Sequence, residues 1–392
     1  MPLLNRAVEL KPEIAAWRHE LHQHPELLYD TQWTSGFVAE KLKGFGCDEV
    51  VTGIGRTGVV GIIKGRHGGT GCVGLRADMD ALPITEATGK DYASTIPGKM
   101  HACGHDGHSA MLLGAARHLC ETRNFAGKVA VIFQPAEEGG AGALAMVEDG
   151  LMDRFGIDKV FGMHNAPGKP VGTFAGRTGP LLASVDTFEI TVTGDGGHAA
   201  GPHRAVDPIF IAAQIVSALQ GIVSRSTDPL DSLVVTITQF HSGDAINVIP
   251  TSAKLIGTTR ALKQETRAMA ERRISETAIG IAGGLGGKAE INYALVKPYP
   301  VTVNHEKETL QALAVARQVA GDSQVDGNTA PVMGGEDFAF MLEQRPGGMI
   351  WLGNGDTAFL HHPAYDFNDD AIPYGVSYWV HLAETLLKSK ED

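Results

Sequence analysis

The segment His101-Ala-Cys-Gly-His-Asp-Gly-His108 sets three histidines, a cysteine and an aspartate within eight residues, with Gly104 and Gly107 letting the backbone fold tightly around something. Imidazole and thiolate at this spacing can converge on one divalent ion. The thiolate favours soft or borderline metals, and the imidazole suits zinc, nickel, cobalt or manganese-type centres. A glycine-rich turn whose histidines cap the following helix would use the same residues. Gln134-Pro-Ala-Glu137-Glu138-Gly-Gly places two carboxylates side by side. Adjacent side chains point in different directions, so one can ligate a metal while the other acts as a base. A solvated acidic helix start is the plainer alternative. Arg76-Ala-Asp78-Met-Asp80-Ala-Leu-Pro83 adds two carboxylates at i, i+2, and turn histidines stand far off at Met163-His164-Asn-Ala-Pro and Leu360-His361-His362-Pro.

Positioning such groups requires elements that end where they begin. Residues 59–63, 72–75 and 129–133 are short apolar runs of the kind buried on both faces of a sheet, separated by helical stretches such as 109–120. That alternation predicts an α/β layered sheet. Asp78 and Asp80 follow the second run, Glu137 and Glu138 the third, and His164 follows Val160-Phe161-Gly162. Ligand sites of open α/β sheets collect at the carboxyl ends of strands. Residues 12–45 have helical spacing interrupted at His24-Pro25-Glu26, which predicts two helices and a turn. From 183 onward the texture changes to β-α-β-β-α, and a strand at 288–295 completes a ferredoxin-like α+β pattern. The expected organisation is a catalytic, mixed-sheet domain over 1–182 and 296–392 with an inserted domain over 183–295.

A chain of 392 residues exceeds the ~250–300 at which single cores stop growing, which also argues for two domains. The 45 acidic against 33 basic residues give a formal charge of -12, which disfavours nucleic acid and anionic membranes as partners. The N-terminal stretch lacks a basic segment followed by an apolar run, and no apolar segment approaching ~20 residues is expected, so the protein reads as cytoplasmic. Four cysteines are too sparse for a disulfide scaffold; Cys47, Cys72 and Cys120 read as plain buried thiols.

The segments Trp17-Arg-His-Glu-Leu-His-Gln-His-Pro-Glu26, Arg76-Ala-Asp-Met-Asp-Ala-Leu-Pro-Ile84, Met100 to His108, Phe133-Gln-Pro-Ala-Glu-Glu138, Gly196-Gly-His-Ala-Ala200 and Glu336-Asp-Phe338 occur in this order. Together they resemble the aminoacylase and hippurate hydrolase branch of the dinuclear-metal aminoacylase/carboxypeptidase family, which includes the plant auxin-conjugate amidohydrolases. The resemblance runs from about Trp17 to Pro373.

It implies five ligands, Cys103, His105, Glu138, His164 and His361, holding two divalent ions, whether zinc, manganese, nickel or cobalt. Cys103 would bridge the ions as thiolate, Glu137 would be the general base, and Asp80 would orient the machinery behind the metals. From the inserted domain, His198 would polarise the scissile carbonyl, commonly at the partner subunit's site, while Asn247 and Arg260 would bind the substrate's carbonyl and carboxylate. His203 could instead cap the helix beginning near Asp207. Asp195 and Gly335 depart from the family's usual residues. The implied reaction is hydrolysis of an N-acyl amino acid by a homodimer or higher homo-oligomer. A metal-dependent dipeptidase is the alternative enzyme, and a non-catalytic binder of metal or amino-acid conjugates the alternative from another class.

Overall fold

The computed structural model describes residues 3–388. The chain opens with α1 (Asn5–Gln23), α2 (Gln32–Phe45), β1 (Glu49–Ile54), β2 (Gly58–Lys64), β3 (Cys72–Asp78), α3 (His105–Thr122), β4 (Lys128–Gln134), α4 (Gly142–Glu148), α5 (Leu151–Phe155), β5 (Lys159–Ala166), β6 (Phe174–Ala175) and β7 (Gly179–Leu182). Next come β8 (Asp186–Thr193), β9 (Gly197–His198), α6 (Pro208–Gly221), β10 (Leu233–His241), β11 (Val248–Ile249), β12 (Ser252–Ala261), α7 (Gln264–Gly284) and β13 (Lys288–Tyr293). The chain closes with β14 (Thr302–Asn304), α8 (Glu306–Ala320), β15 (Val325–Asp326), α9 (Ala339–Gln344), β16 (Gly347–Gly353) and α10 (Ile372–Leu386).

Two compact units result. The first comprises Met1–Leu181, Val303–Ala330 and Asp337–Asp392; the second comprises Leu182–Thr302 and takes in the short segment Pro331–Glu336. That segment joins the second unit by tertiary pairing: Leu182 bridges Val332, and the Ala183 N–H donates to Gly334 O at 2.9 Å.

The first unit holds an eight-stranded sheet in the order β1-β2-β4-β3-β5-β16-β6-β15. Its centre, β4, β3, β5 and β16, is parallel, while β1 and β2 run antiparallel at one side. Strands β2 to β5 are nearly continuous apolar runs because helices cover both faces. Helix α3 packs against α1, α2 and α10, and its Ala110, Met111, Leu112, Leu113, Ala115 and Ala116 are fully buried. The break between α1 and α2 falls at the expected proline, and the Glu26 carboxylate accepts from the N–H groups of Trp33 (3.1 Å) and Thr34 (2.8 Å), donors the first turn of α2 would otherwise leave unmet.

The second unit has an antiparallel sheet in the order β10-β12-β8-β13, with α6 and α7 packed on it, which is the ferredoxin-like arrangement. Strand β8 alternates strictly, with Phe188, Ile190 and Val192 facing the helices. The stretch Pro208–Ser226 is 19 residues long and, by length and composition, apolar enough to cross a membrane, contrary to the expectation from sequence. Within the unit it is a covering helix: Ile211, Ala212, Ile215 and Leu219 are buried against the sheet. Its other face leaves Ile209, Phe210 and Val223 exposed.

Candidate active site

The four parallel strands of the first unit deliver their chemistry at one end. His105 is the first residue of α3, after Gly104 in the left-handed region at φ 90°. A Cβ on Gly104 would lie 2.3 Å from Asn165 Nδ2 and 2.4 Å from the Tyr365 hydroxyl, so only glycine fits. The Nδ1 of His105 lies 2.8 Å from the Asp80 carbonyl oxygen, which can only accept, so the ring proton sits on Nδ1. Its Nε2 is buried without a hydrogen bond. His164, in β5, repeats the device: Nδ1 donates to Asn165 O at 2.7 Å, and Nε2 lies 3.4 Å from Cys103 Sγ. Two imidazoles thus turn their Nε2 lone pairs inward with the opposite ring nitrogen pinned, the arrangement metal-ligating histidines need.

The glutamate pair is held from behind. Asp80, buried, accepts from the Glu137 N–H at 3.0 Å with one oxygen and from the Glu138 N–H at 3.1 Å with the other. Ala136, at φ 56°, supplies the sharp turn out of β4. The Glu138 carboxylate meets His361 Nε2 at 3.2 Å. His361 also has a left-handed backbone, φ 64°, and its N–H donates to Ala102 O at 2.7 Å, which ties a distant loop to the cysteine segment. His362 is turned away: its Nδ1 accepts from the Ala364 N–H in its own turn.

Ligand atoms of Cys103, His105 and His164 lie within 4.8 Å of one another, as do those of Cys103, Glu138 and His361, and those of His105, Glu137 and Glu138. The five expected ligands therefore fall into two triads that share Cys103, with Glu137 beside them. Thiol, imidazole and carboxylate donors around a buried His105 Nε2 that makes no hydrogen bond and faces Asp78 at 3.6 Å are a set that fits divalent ions. Burial, with Glu138 and Glu137 adding to it, pushes the Cys103 thiol well above its ordinary value, and burial keeps His164 neutral. Burial would lower His105, but Asp78 and Asp80 outweigh it and carry the imidazole to about 10.

Asp78 and His108, both singled out in the sequence without a settled role, join several buried residues around the site to which the sequence assigns none. Asp78 binds His108 Nδ1 at 2.6 Å and the Arg76 guanidinium at 2.8 Å; His108 Nε2 then accepts from the Asn165 N–H at 2.9 Å. Asn165 is a hub, its amide donating to Cys103 O at 2.6 Å and its side-chain oxygen accepting from the Tyr365 hydroxyl at 2.9 Å. It links the segments that carry Cys103, His164 and His361. Behind α3, Asp106 accepts from His22 Nδ1 at 2.8 Å and faces Arg18 at 3.3 Å. The only sequence signal for these residues is their place inside quoted motifs: Asn165 adjoins His164, and Arg18 and His22 lie within residues 17–26.

The remaining expected residues belong to the second unit. His198 and Asn247 come together there: β9 pairs with β11, His198 opposite Val248, and the Ala199 N–H donates to Asn247 O at 3.0 Å. Both side chains are exposed. His198 Nδ1 accepts from the Ala200 N–H at 3.0 Å, so the neutral ring carries its proton on Nε2. Arg260, half-buried on β12 opposite Val234, donates to Thr259 O at 2.9 Å and pairs with no carboxylate among the described residues. Burial pulls its guanidinium down, countered in part by Asp186. His203 lies in a short 3-10 turn and caps nothing; the α6 cap is Asp207, which accepts from Ile209 and Phe210. Gly335 also has a local reason, since a Cβ there would lie 2.0 Å from Val185 Cγ2.

The sequence profile of peptidase family M20/M25/M40 matches residues 74–385. The chain belongs to this family. It is 42% identical over 388 residues to a hippurate hydrolase of Campylobacter jejuni, covering 99% of this chain and all of that one. It is 40% identical to an N-acetylcysteine deacetylase of Bacillus subtilis, covering 95% and 96%. A crystal structure from Bacillus subtilis, described as a dinuclear metal binding peptidase of the M20 family, superposes with a TM-score of 0.85 at 35% identity over 97% of this chain and 99% of that one. The M20/M25/M40 assignment accounts for the layered sheet and the inserted unit.

Proposed function

We propose that this family member is a metal-dependent amidohydrolase that cleaves N-acyl amino acids, benzoyl-glycine among them, to a carboxylic acid and a free amino acid. The observation that carries the reading is the pair of ligand triads sharing Cys103 with Glu137 alongside, in a chain full-length similar to a hippurate hydrolase and an N-acetylcysteine deacetylase. Cys103, His105, Glu138, His164 and His361 would hold two divalent ions, whether zinc, manganese, nickel or cobalt. Such ions supply Lewis acidity that acidifies water and polarises a carbonyl.

The protein's own groups do the rest. Glu137 takes the proton of the attacking water and returns it to the leaving nitrogen. Asp80 sets the orientation of Glu137 and Glu138 through their backbone N–H groups. His198 donates from Nε2–H to the developing oxyanion, and Asn247 beside it binds the same carbonyl. Arg260, which makes no ion pair among the described residues, receives the free carboxylate of the amino-acid half. In this reading His198 serves the partner subunit's site. Support for a homodimer comes from β10, the edge of its sheet, with Phe240 exposed, and from the bare Ile209, Phe210 and Val223 of α6. An exposed edge strand is a template for pairing with a second copy. Cytoplasmic residence is part of the same reading and rests on four unbridged cysteines.

Replacement of Glu137 by alanine tests the assignment. Turnover of benzoyl-glycine should fall about 10²–10⁴-fold while metal stoichiometry stays near the wild-type value. Retained turnover would sink the reading, and preference for glycyl-glycine over benzoyl-glycine would turn it toward a dipeptidase.

A further inference from the structure

Two of the cysteines outside the candidate site, 73 residues apart in sequence, stand with their sulfurs 3.6 Å apart. Cys47 follows α2 and is half-buried; Cys120 lies in the last turn of α3 and is 9% exposed. Neither is where it is by accident of side-chain freedom. Gly46, at φ 85°, ends α2 in the left-handed region, and the Cys47 N–H returns to Leu42 O at 3.2 Å, so the helix end sets the Cys47 backbone. Arg123, the residue that ends α3, then staples both neighbours of Cys47: Nη2 donates to Gly46 O at 2.8 Å and Nη1 to the Asp48 carboxylate at 2.7 Å. One arginine three residues from Cys120 thus grips the residues on either side of Cys47.

We infer that Cys47 and Cys120 form a built dithiol site that closes to an intramolecular disulfide when a small-molecule disulfide is present. The 3.6 Å contact has to shorten to the ~2.05 Å of the bond. The sulfur of the pair that ionises first attacks the reagent as thiolate and becomes a mixed disulfide, expelling one thiolate of the reagent. The other sulfur, once it has lost its proton, attacks the first and expels the second. The two protons lost by the protein end on the two released thiols, so the pair is oxidised and the reagent reduced. The contact between the sulfurs, in which either can donate, raises the Cys47 thiol and holds Cys120 below the ordinary thiol value despite its burial, with Arg123 adding to the lowering, so the pair shares one proton and a single thiolate forms within it first. Cys72, buried and raised to about 11 by that burial, has no such neighbour and serves as an internal control.

The experiment treats folded, metal-loaded protein with oxidised glutathione and maps peptides without reduction. The expected result is a Cys47–Cys120 linked peptide, no retained glutathione, Cys72 still a thiol, and a thermal midpoint about 5 °C higher that dithiothreitol reverses. Cys47→Ser, at the half-exposed position, should abolish the linkage and the thermal shift. A stable glutathione adduct on Cys47 with Cys120 free, or both thiols free after Cys72 has reacted, overturns the proposal.

Discussion

The polar groups of the first unit and those of the second are built to opposite standards. Around the cysteine and glutamates, Asp78, Asp80, His105, His108 and Asn165 are all buried, and each is oriented by at least one hydrogen bond to a neighbour in that network. In the second unit His198 and Asn247 are exposed and rest on a ribbon of two residues per strand. Metal ligands have to converge before the ions arrive, and a displacement of about 0.5 Å already spoils them, so their supports are buried. Groups that meet substrate have to admit it, which draws them from the lightly anchored end of the structure. Substitutions in the first unit should therefore cost stability and chemistry together. In the second, substitutions of the groups that face substrate should cost chemistry alone.

The largest effect is expected at Asp80. Its removal strips an acceptor from two N–H groups at once, so Asp80→Ala should lower kcat for benzoyl-glycine about 10²–10⁴-fold, as though Glu137 itself were lost, and depress the thermal midpoint. An unchanged midpoint would break the contrast between the units. His198→Ala is the counterpart: kcat about 10²–10³-fold lower, the cost of one oxyanion donor, with an unchanged unfolding curve. If His198 serves the neighbouring subunit, refolding a mixture of the Glu137→Ala and His198→Ala variants should restore part of the activity in steady-state assays. No recovery would confine His198 to its own subunit. Asn165→Ala comes next. Chelator competition should show metal retention weakened about 10–100-fold, and denaturant titration a loss of about 1–3 kcal/mol from the orphaned Tyr365 and His108 partners. Asn165→Leu, which restores bulk without the hydrogen bonds, should not rescue either reading.

What was legible in the sequence follows from the same division. Parallel strands buried on both faces are written as unbroken apolar runs, so β3, β4 and β5 and the carboxylates beyond them could be read directly. The mechanism by which Asp80 orients the glutamates could not, because its partners are backbone N–H groups that every residue possesses. Asn165 was opaque for a related reason: its three partners come from residues 103, 108 and 365, and only the fold brings them to one side chain. The allegiance of Pro331–Glu336 to the second unit and the pairing of Cys47 with Cys120 are likewise products of tertiary structure.

Arg260 offers the finest test of the comparison. A half-buried cation whose hydrogen bonds go to Thr259 O and the Thr258 hydroxyl, with no ion pair among the described residues and only a partial offset from Asp186, is a cost to the folded unit rather than a support. Arg267, by contrast, donates twice to Asp186, at 2.9 and 2.8 Å, and its ion pair belongs to the fold. Arg260→Met should therefore leave the thermal midpoint unchanged or raise it by a few degrees, as replacement of functional but strained residues tends to do. The same change should raise KM for benzoyl-glycine about tenfold, the worth of about 1.4 kcal/mol, with kcat nearly constant. That combination is the signature of a group that binds substrate equally in the ground and transition states. Arg267→Met should do the reverse, lowering the midpoint with KM held. If Arg260→Met instead lowers the midpoint and leaves KM alone, the guanidinium serves the β12 ladder, and the substrate carboxylate is received elsewhere.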